Sequence, residues 1–192
     1  MMLKKIIFIV SVTFLFIECK EEKKPFLISN DAVGLLTRGM TIKEIDSIFA
    51  RDSIVKLYTQ YDELATQGEV EIFEKNGTKL LSISPLTNND PDALISNFQF
   101  FDPRYKTDKG LNLSSTFKDI KTNYKISNIE TTISTVVLFI EDSDFFINID
   151  KKELPENIRY NPNLEIDITN IPDEAKIKYF MLSWKIDEFD KK

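Results

Sequence analysis

Two periods of hydrophobicity alternate along most of this chain. Glu69-Val70-Glu71-Ile72-Phe73-Glu74-Lys75 and Thr78-Lys79-Leu80-Leu81-Ser82-Ile83-Ser84 read as strands, with Asn76-Gly77 between them. Period two marks a half-buried strand. Asn-Gly between two such runs predicts a hairpin closed by a type I′ turn, which needs two positive φ angles. Another strand is predicted over about Ile95–Phe101. Further along, Ile133–Ile140 and Phe145–Asp150 flank the acidic turn Glu141-Asp142-Ser143-Asp144, and a last strand covers about Ala175–Lys185. That strand carries Tyr179-Phe180-Met181-Leu182-Ser183-Trp184, a row of large groups that reads as core rather than as an exposed strip.

The second period is helical, and it occurs twice. Thr41-Ile42-Lys43-Glu44-Ile45-Asp46-Ser47-Ile48-Phe49 and Thr116-Phe117-Lys118-Asp119-Ile120-Lys121-Thr122-Asn123-Tyr124 share a Thr, apolar, Lys, acidic, Ile pattern at an offset of 75 residues. Thr41 with Glu44, and Thr116 with Asp119, have capping-box spacing, in which hydroxyl and carboxylate each satisfy an orphan backbone donor. Ile42, Ile45, Ile48 and Phe49 fall on one face, as do Phe117, Ile120 and Tyr124. A short apolar segment with a glycine precedes each helix: Val33-Gly34-Leu35-Leu36 and Gly110-Leu111-Asn112-Leu113.

Each half therefore reads as strand, helix, then three or four antiparallel strands. The predicted fold class is α+β: two tandem similar halves, each one helix packed on an antiparallel sheet of about four strands. The boundaries fall at 29–105 and 106–192. Residues 151–174 form an insertion in the second half, punctuated by Pro155, Pro162 and Pro172. It is expected to hold a short helix near Leu154–Tyr160 and an extended piece at Leu164–Ile168.

The first residues follow neither period. Lys4 and Lys5 precede the twelve-residue run Ile6–Ile17, and Cys19 follows it. A basic start and an apolar run of this length are the first two parts of an export signal. As a helix the run rises only about 18 Å, short of the roughly 30 Å hydrocarbon core. The chain's single cysteine at the end of that run predicts a bacterial lipoprotein, with residues 1–18 as signal and Cys19 as the lipid-bearing residue. Glu18 stands where the usual lipobox has a small residue. Residues 19–28 then read as a charged tether. Within it, Lys20-Glu21-Glu22 resembles the surface-export signal of Bacteroidetes lipoproteins. The expected address is the outer membrane with display on the cell surface, the alternative being its periplasmic face.

Composition removes several function classes. Without Lys4, Lys5 and Glu18 the net charge goes from −6 to −7, which argues against a nucleic-acid partner and leaves the lipid anchor as the membrane contact. There is no histidine, and acylation would use the only thiol. A Ser–His–Asp triad and the usual zinc, haem and iron–sulfur sites are therefore excluded, and no metal or other cofactor is expected. No disulfide can form within the chain. The five glycines build no phosphate-cradling loop. Asn88-Asn89-Asp90-Pro91-Asp92 and Glu141-Asp142-Ser143-Asp144 lack EF-hand spacing and read as bare acidic turns.

Two resemblances complete the reading. The layout is similar to the tandem helix-plus-four-strand fold of the β-lactamase inhibitory protein and of small outer-membrane assembly lipoproteins, which implies a fold and no binding residues. The runs Asp52-Ser53-Ile54-Val55-Lys56, Asp102-Pro103-Arg104-Tyr105-Lys106-Thr107, Ser115-Thr116-Phe117-Lys118-Asp119-Ile120 and Ile171-Pro172-Asp173-Glu174-Ala175-Lys176 resemble an uncharacterised lipoprotein family of flavobacteria with distant enterobacterial relatives. The resemblance implies lipidation and leaves activity open.

The segment Asp102–Lys109 joins the halves, and junctions of this kind often hold ligands. Arg104 is suited to clamp a carboxylate or phosphate, Tyr105 to offer a flat contact and Lys106 to add charge. The bland reading is a solvated connector whose arginine pairs with a nearby carboxylate. The expected function is a non-enzymatic, lipid-anchored interaction module, its partner another envelope protein. The alternatives are a small-ligand site at the junction and, more remotely, a carboxylate-based hydrolase.

Overall fold

A computed structural model of the chain describes residues 24–57, 68–88, 90–159 and 166–185. The proposed signal and Cys19 lie outside the described residues. After a three-stranded ribbon, β1 (Leu27–Ile28), β2 (Ala32–Val33) and β3 (Leu36–Thr37), a 3-10 turn at Ile42–Glu44 runs into α1 (Ile45–Ile48). Four strands follow: β4 (Ser53–Lys56), β5 (Val70–Phe73), β6 (Lys79–Pro85) and β7 (Ile95–Phe100). After β8 (Lys106–Thr107) the plan repeats. It gives α2 (Phe117–Asn123), β9 (Ile126–Thr131), β10 (Thr135–Ile140), β11 (Phe145–Asp150), a link carrying α3 (Glu156–Arg159), and β12 (Ile177–Ser183).

The fold is α+β, with two meanders of four strands that do not remain separate. Their last strands pair, Phe100 opposite Phe180 and Phe98 opposite Leu182, to give one eight-stranded sheet in the order β4-β5-β6-β7-β12-β11-β10-β9. The sheet is antiparallel throughout and is not a closed barrel. Alternation decides which face is inward. Ile72, Leu81, Phe100, Phe180, Ile147 and Leu138 follow one another across the sheet in register, and all are buried. The apolar stripes of both helices join them: Ile42, Ile45 and Phe49 from the first half, Phe117 and Ile120 from the second.

Both helix starts are held in the same way. The Glu44 carboxylate accepts from the Thr41 backbone N–H at 2.7 Å and from its hydroxyl at 2.8 Å. Asp119 does the same for Thr116 at 2.8 and 3.0 Å. The next two N–H groups donate to the link before the last strand of each half, Ile42 to Ala93 and Lys43 to Pro91, Phe117 to Ala175 and Lys118 to Asp173. Four donors that an isolated helix would leave to water thereby gain protein partners. These backbone bonds extend the repeat to the links Pro91-Asp92-Ala93 and Pro172-Asp173-Glu174-Ala175, and a lysine pairs with each link aspartate, Lys43 with Asp92 and Lys121, one turn further along its helix, with Asp173.

Some local expectations change. Among the described residues only Asp142 has positive φ without being glycine, so Asn76 is not left-handed and the hairpin has no type I′ turn. Gly77 (φ 88) instead closes a longer loop, with its N–H donating to Glu74 and the Glu74 N–H donating to Thr78. The pairing slips between Ile72 and Phe73, as it does where a type I turn meets a glycine bulge. Gly110–Leu113 is not a strand. Lys106–Thr107 takes that place as β8 and pairs in parallel with β1. The resulting second sheet has the order β3-β2-β1-β8. Gly34 (φ 60) is required in it, because a Cβ there would meet the Pro25 carbonyl oxygen at 2.2 Å. In the insertion the helix covers Glu156–Arg159, within the span expected for it. Ile168 opens a 3-10 turn instead of ending an extended piece, and residues 164–165 lie outside the described residues. The last strand is Ile177–Ser183, with Trp184 just beyond it and buried edge-on against Phe98.

Candidate functional site

The junction segment does two different jobs along its length. At its start, Asp102 is only 6% exposed and turns both carboxylate oxygens on Arg104. Oδ1 accepts from the Arg104 backbone N–H (2.8 Å) and from Nε (3.0 Å), and Oδ2 accepts from Nη2 (2.7 Å). Arg104 Nη2 also donates to Glu74 in the β5–β6 hairpin at 2.7 Å, and the guanidinium lies 4.6 Å from the Phe26 ring. Hydrogen bonding to Arg104 holds Asp102 below the usual carboxylate range, against the opposing effect of burial. The same bonds raise the Arg104 pKa.

Of the three residues expected to form a ligand contact, Arg104 is thus committed to internal carboxylates. Tyr105 offers no flat face, since its ring is 2% exposed and packs against Phe26 and Phe100. Burial pushes its hydroxyl pKa up. Lys106 is exposed on β8, with its backbone N–H donating to Phe26. The three are neighbours in sequence, and none of them lines the cleft described next.

The next three residues, Thr107, Asp108 and Lys109, line a cleft of about 500 Å³. Its opposite boundary is the acidic turn Glu141-Asp142-Ser143 between β10 and β11, and Leu27–Asn30 of the β1 ribbon complete the wall. Tyr124, the C-cap of α2, points its hydroxyl at Thr107 Oγ1, 2.6 Å away, while its ring meets Phe145 edge-on at 5.4 Å. Burial raises the Tyr124 pKa. Lys109 Nζ donates to the carbonyl of Asn123 at 2.8 Å and sits 4.5 Å from the Tyr124 ring centroid. A cation suits the carbonyl end of a helix. Lys125 donates to Glu141 at 2.6 Å, and that hydrogen bond, with the charges of Glu141 and Asp142, raises its pKa. A smaller hollow of about 250 Å³ adjoins Lys109 on the side of Asp119 and Asn123.

The cleft has braced walls. Asn30 donates to the Asp142 carbonyl at 2.9 Å and accepts from the Asp144 N–H at 3.2 Å. Arg38, just after β3, pairs with Asp144 and donates to the carbonyls of Lys185 (2.7 Å) and Asn30 (3.0 Å). The acidic turn is therefore the anchorage of the β1 ribbon on the second half. Asp90 and Asp92 are likewise used locally, Asp90 accepting from the Asp92 N–H and Asp92 pairing with Lys43. Among the described residues no group of acidic side chains is placed to hold a metal ion. No described helix is long and apolar enough to cross a membrane.

Thr107 and Lys109 belong to the junction segment nominated from sequence without being singled out in it, Asp142 to a turn read as bare, and Tyr124 to an apolar helix face. One signal was available. Phe49 and Tyr124 hold the same position in the repeat, so a hydroxyl appears in the second half where the first has none.

No protein-family model matches the chain, and no curated protein matches it. Among solved structures, that of the uncharacterized protein yfeY from Escherichia coli superposes with a TM-score of 0.52 at 17% identity. The match covers 81% of this chain and 98% of that one. The chain shares its fold with an enterobacterial protein. At this identity the likeness concerns the fold alone.

Proposed function

We propose that this protein is a lipid-anchored envelope protein of the flavobacterial type its sequence resembles, working as a binding module with no chemistry of its own. The anchor reading rests on Lys4 and Lys5, the apolar run and Cys19. A lipoprotein cysteine carries two or three acyl chains, enough to hold a protein without further help. Lys20-Glu21-Glu22 favours the outer surface over the periplasmic face.

The observation that carries the binding reading is the cleft between the β1 ribbon and the second half. Its volume lies within the roughly 300–1,000 Å³ range of small-molecule sites, and it combines apolar Leu27 and Phe145 with several polar groups. It favours a small ligand over a broad protein contact. Two experiments test the reading. Cys19→Ser is expected to move the protein from the membrane pellet to a soluble fraction; unchanged pelleting with unchanged lipid-probe labelling would overturn the anchor. Envelope extracts fractionated by size are then screened against the detergent-solubilised full-length protein, with melting followed by Trp184 fluorescence. A ligand raises the melting temperature by mass action. The expected result is a stabilising low-mass fraction whose effect is lost in Tyr124→Ala. Stabilisation that ignores Tyr124→Ala would place the site elsewhere.

A further inference from the structure

The charges lining the cleft are unevenly satisfied. Lys125 and Glu141 pair with each other. Asp108 accepts from the backbone N–H of Lys109 at 2.9 Å. Lys109 itself has only neutral partners, the Asn123 carbonyl and the Tyr124 ring, and no carboxylate among the described residues closes an ion pair with it. Asp142 is the reverse case. Its carboxylate accepts no hydrogen bond and makes no ion pair among the described residues, although its field reaches Lys125. Its backbone is held at φ 55, with its carbonyl fixed by Asn30. One cation and one anion thus border the same space from different elements, with Leu27 and Tyr124 supplying apolar surface.

Extending the binding reading above, we propose that the cleft takes a small zwitterion, a free amino acid or short peptide, with its carboxylate on Lys109 and its ammonium on Asp142. A purely anionic ligand would face Asp108, Glu141 and Asp142, and a purely cationic one Lys109 and Lys125. Like charges brought together repel, so either would lose much of what its one favourable contact contributes. A ligand with both charges gives Lys109 a carboxylate and Asp142 a cation, and charge-assisted hydrogen bonds are the strong ones. The volume of about 500 Å³ accepts a dipeptide and leaves the side chains against Leu27 and Tyr124.

The test titrates the solubilised full-length protein calorimetrically with the dipeptide Ala-Leu, its N-acetyl form and its C-terminal amide. Saturable binding of the free dipeptide is expected, with each blocked form weaker by about tenfold or more. Lys109→Met and Asp142→Asn should each weaken the free dipeptide by a similar factor, while Lys75→Met, on the β5–β6 hairpin and outside the cleft lining, leaves it unchanged. Circular dichroism and the Trp184 melting curve establish that the variants fold. Equal binding of the free and blocked peptides would overturn the zwitterion assignment. So would no saturable binding of any of the three up to about 10 mM. In either case a Tyr124-dependent hit from the extract screen would keep the binding module and change only its ligand class.

Discussion

The two halves share a scaffold and differ in how their turn ends are finished. In the first, Arg104 joins Asp102 to Glu74 of the β5–β6 hairpin and lies over Phe26. In the second, the β10–β11 turn holds Arg38 and Asn30 but leaves about 500 Å³ open beside Tyr124. The capping boxes and the backbone bonds from each helix start to its receiving link are alike, while α2 is longer than α1 and the second link carries α3. On the proposed reading, the repeated frame places the site, and the residues at each turn end decide how much room it has.

The largest expected effect tests whether the halves form one frame. Phe98 sits on β7 at the seam, opposite Leu182. Phe98→Ala should cost about 3–5 kcal/mol and leave a cavity at that seam. Melting should remain a single transition by circular dichroism and by Trp184 fluorescence; two separated transitions would break the frame into independent halves.

Asp102→Ala addresses the sealed end and is expected to cost about 2 kcal/mol in denaturant unfolding, because the half-exposed Arg104 keeps Glu74 and water as partners. The Asp102 pKa is depressed on folding. Its contribution is therefore complete above the ordinary carboxylate pKa of about 4 and is lost as pH falls through the lower folded value. The wild type should lose stability across that acid range more steeply than the variant. Equal acid limbs would remove Asp102 from the account.

Thr41→Ala and Thr116→Ala probe what the halves have in common. Each should cost about 1 kcal/mol, and the two costs should agree closely if the caps are equivalent. The smallest change is Tyr124→Phe, at about 0.5–1 kcal/mol for the hydroxyl bond to Thr107. It makes the second half match Phe49 of the first. Denaturant midpoints with unchanged slopes would check both sets.

Much of this frame was legible in local sequence. The capping boxes, the buried helix faces and the spans of β5, β6, β7, β10 and β11 follow from side chains a few positions apart, where periodicity and capping act. What was not legible depends on distant partners. No local pattern says that β7 pairs with β12 or that the two-residue β8 runs parallel to β1. The turn at Asn76-Gly77 departs from the type I′ expectation because Asn76 keeps negative φ and Gly77 alone supplies the left-handed position. In the junction segment the conspicuous residues are bound internally, Tyr105 in the core and the half-exposed Arg104 to Asp102 and Glu74. Thr107, Asp108 and Lys109 become interesting only once Tyr124 and Asp142 are brought against them from elsewhere in the chain.

The contrast between a sealed and an open end is tested most directly by an amide-resolved NMR titration of the solubilised full-length protein with Ala-Leu. Saturable shift changes should appear at Asn30, Lys109, Lys125 and Asp142, with Glu74, Asp102 and Arg104 unmoved. Changes centred on Arg104 and Glu74, with the cleft silent, would contradict it.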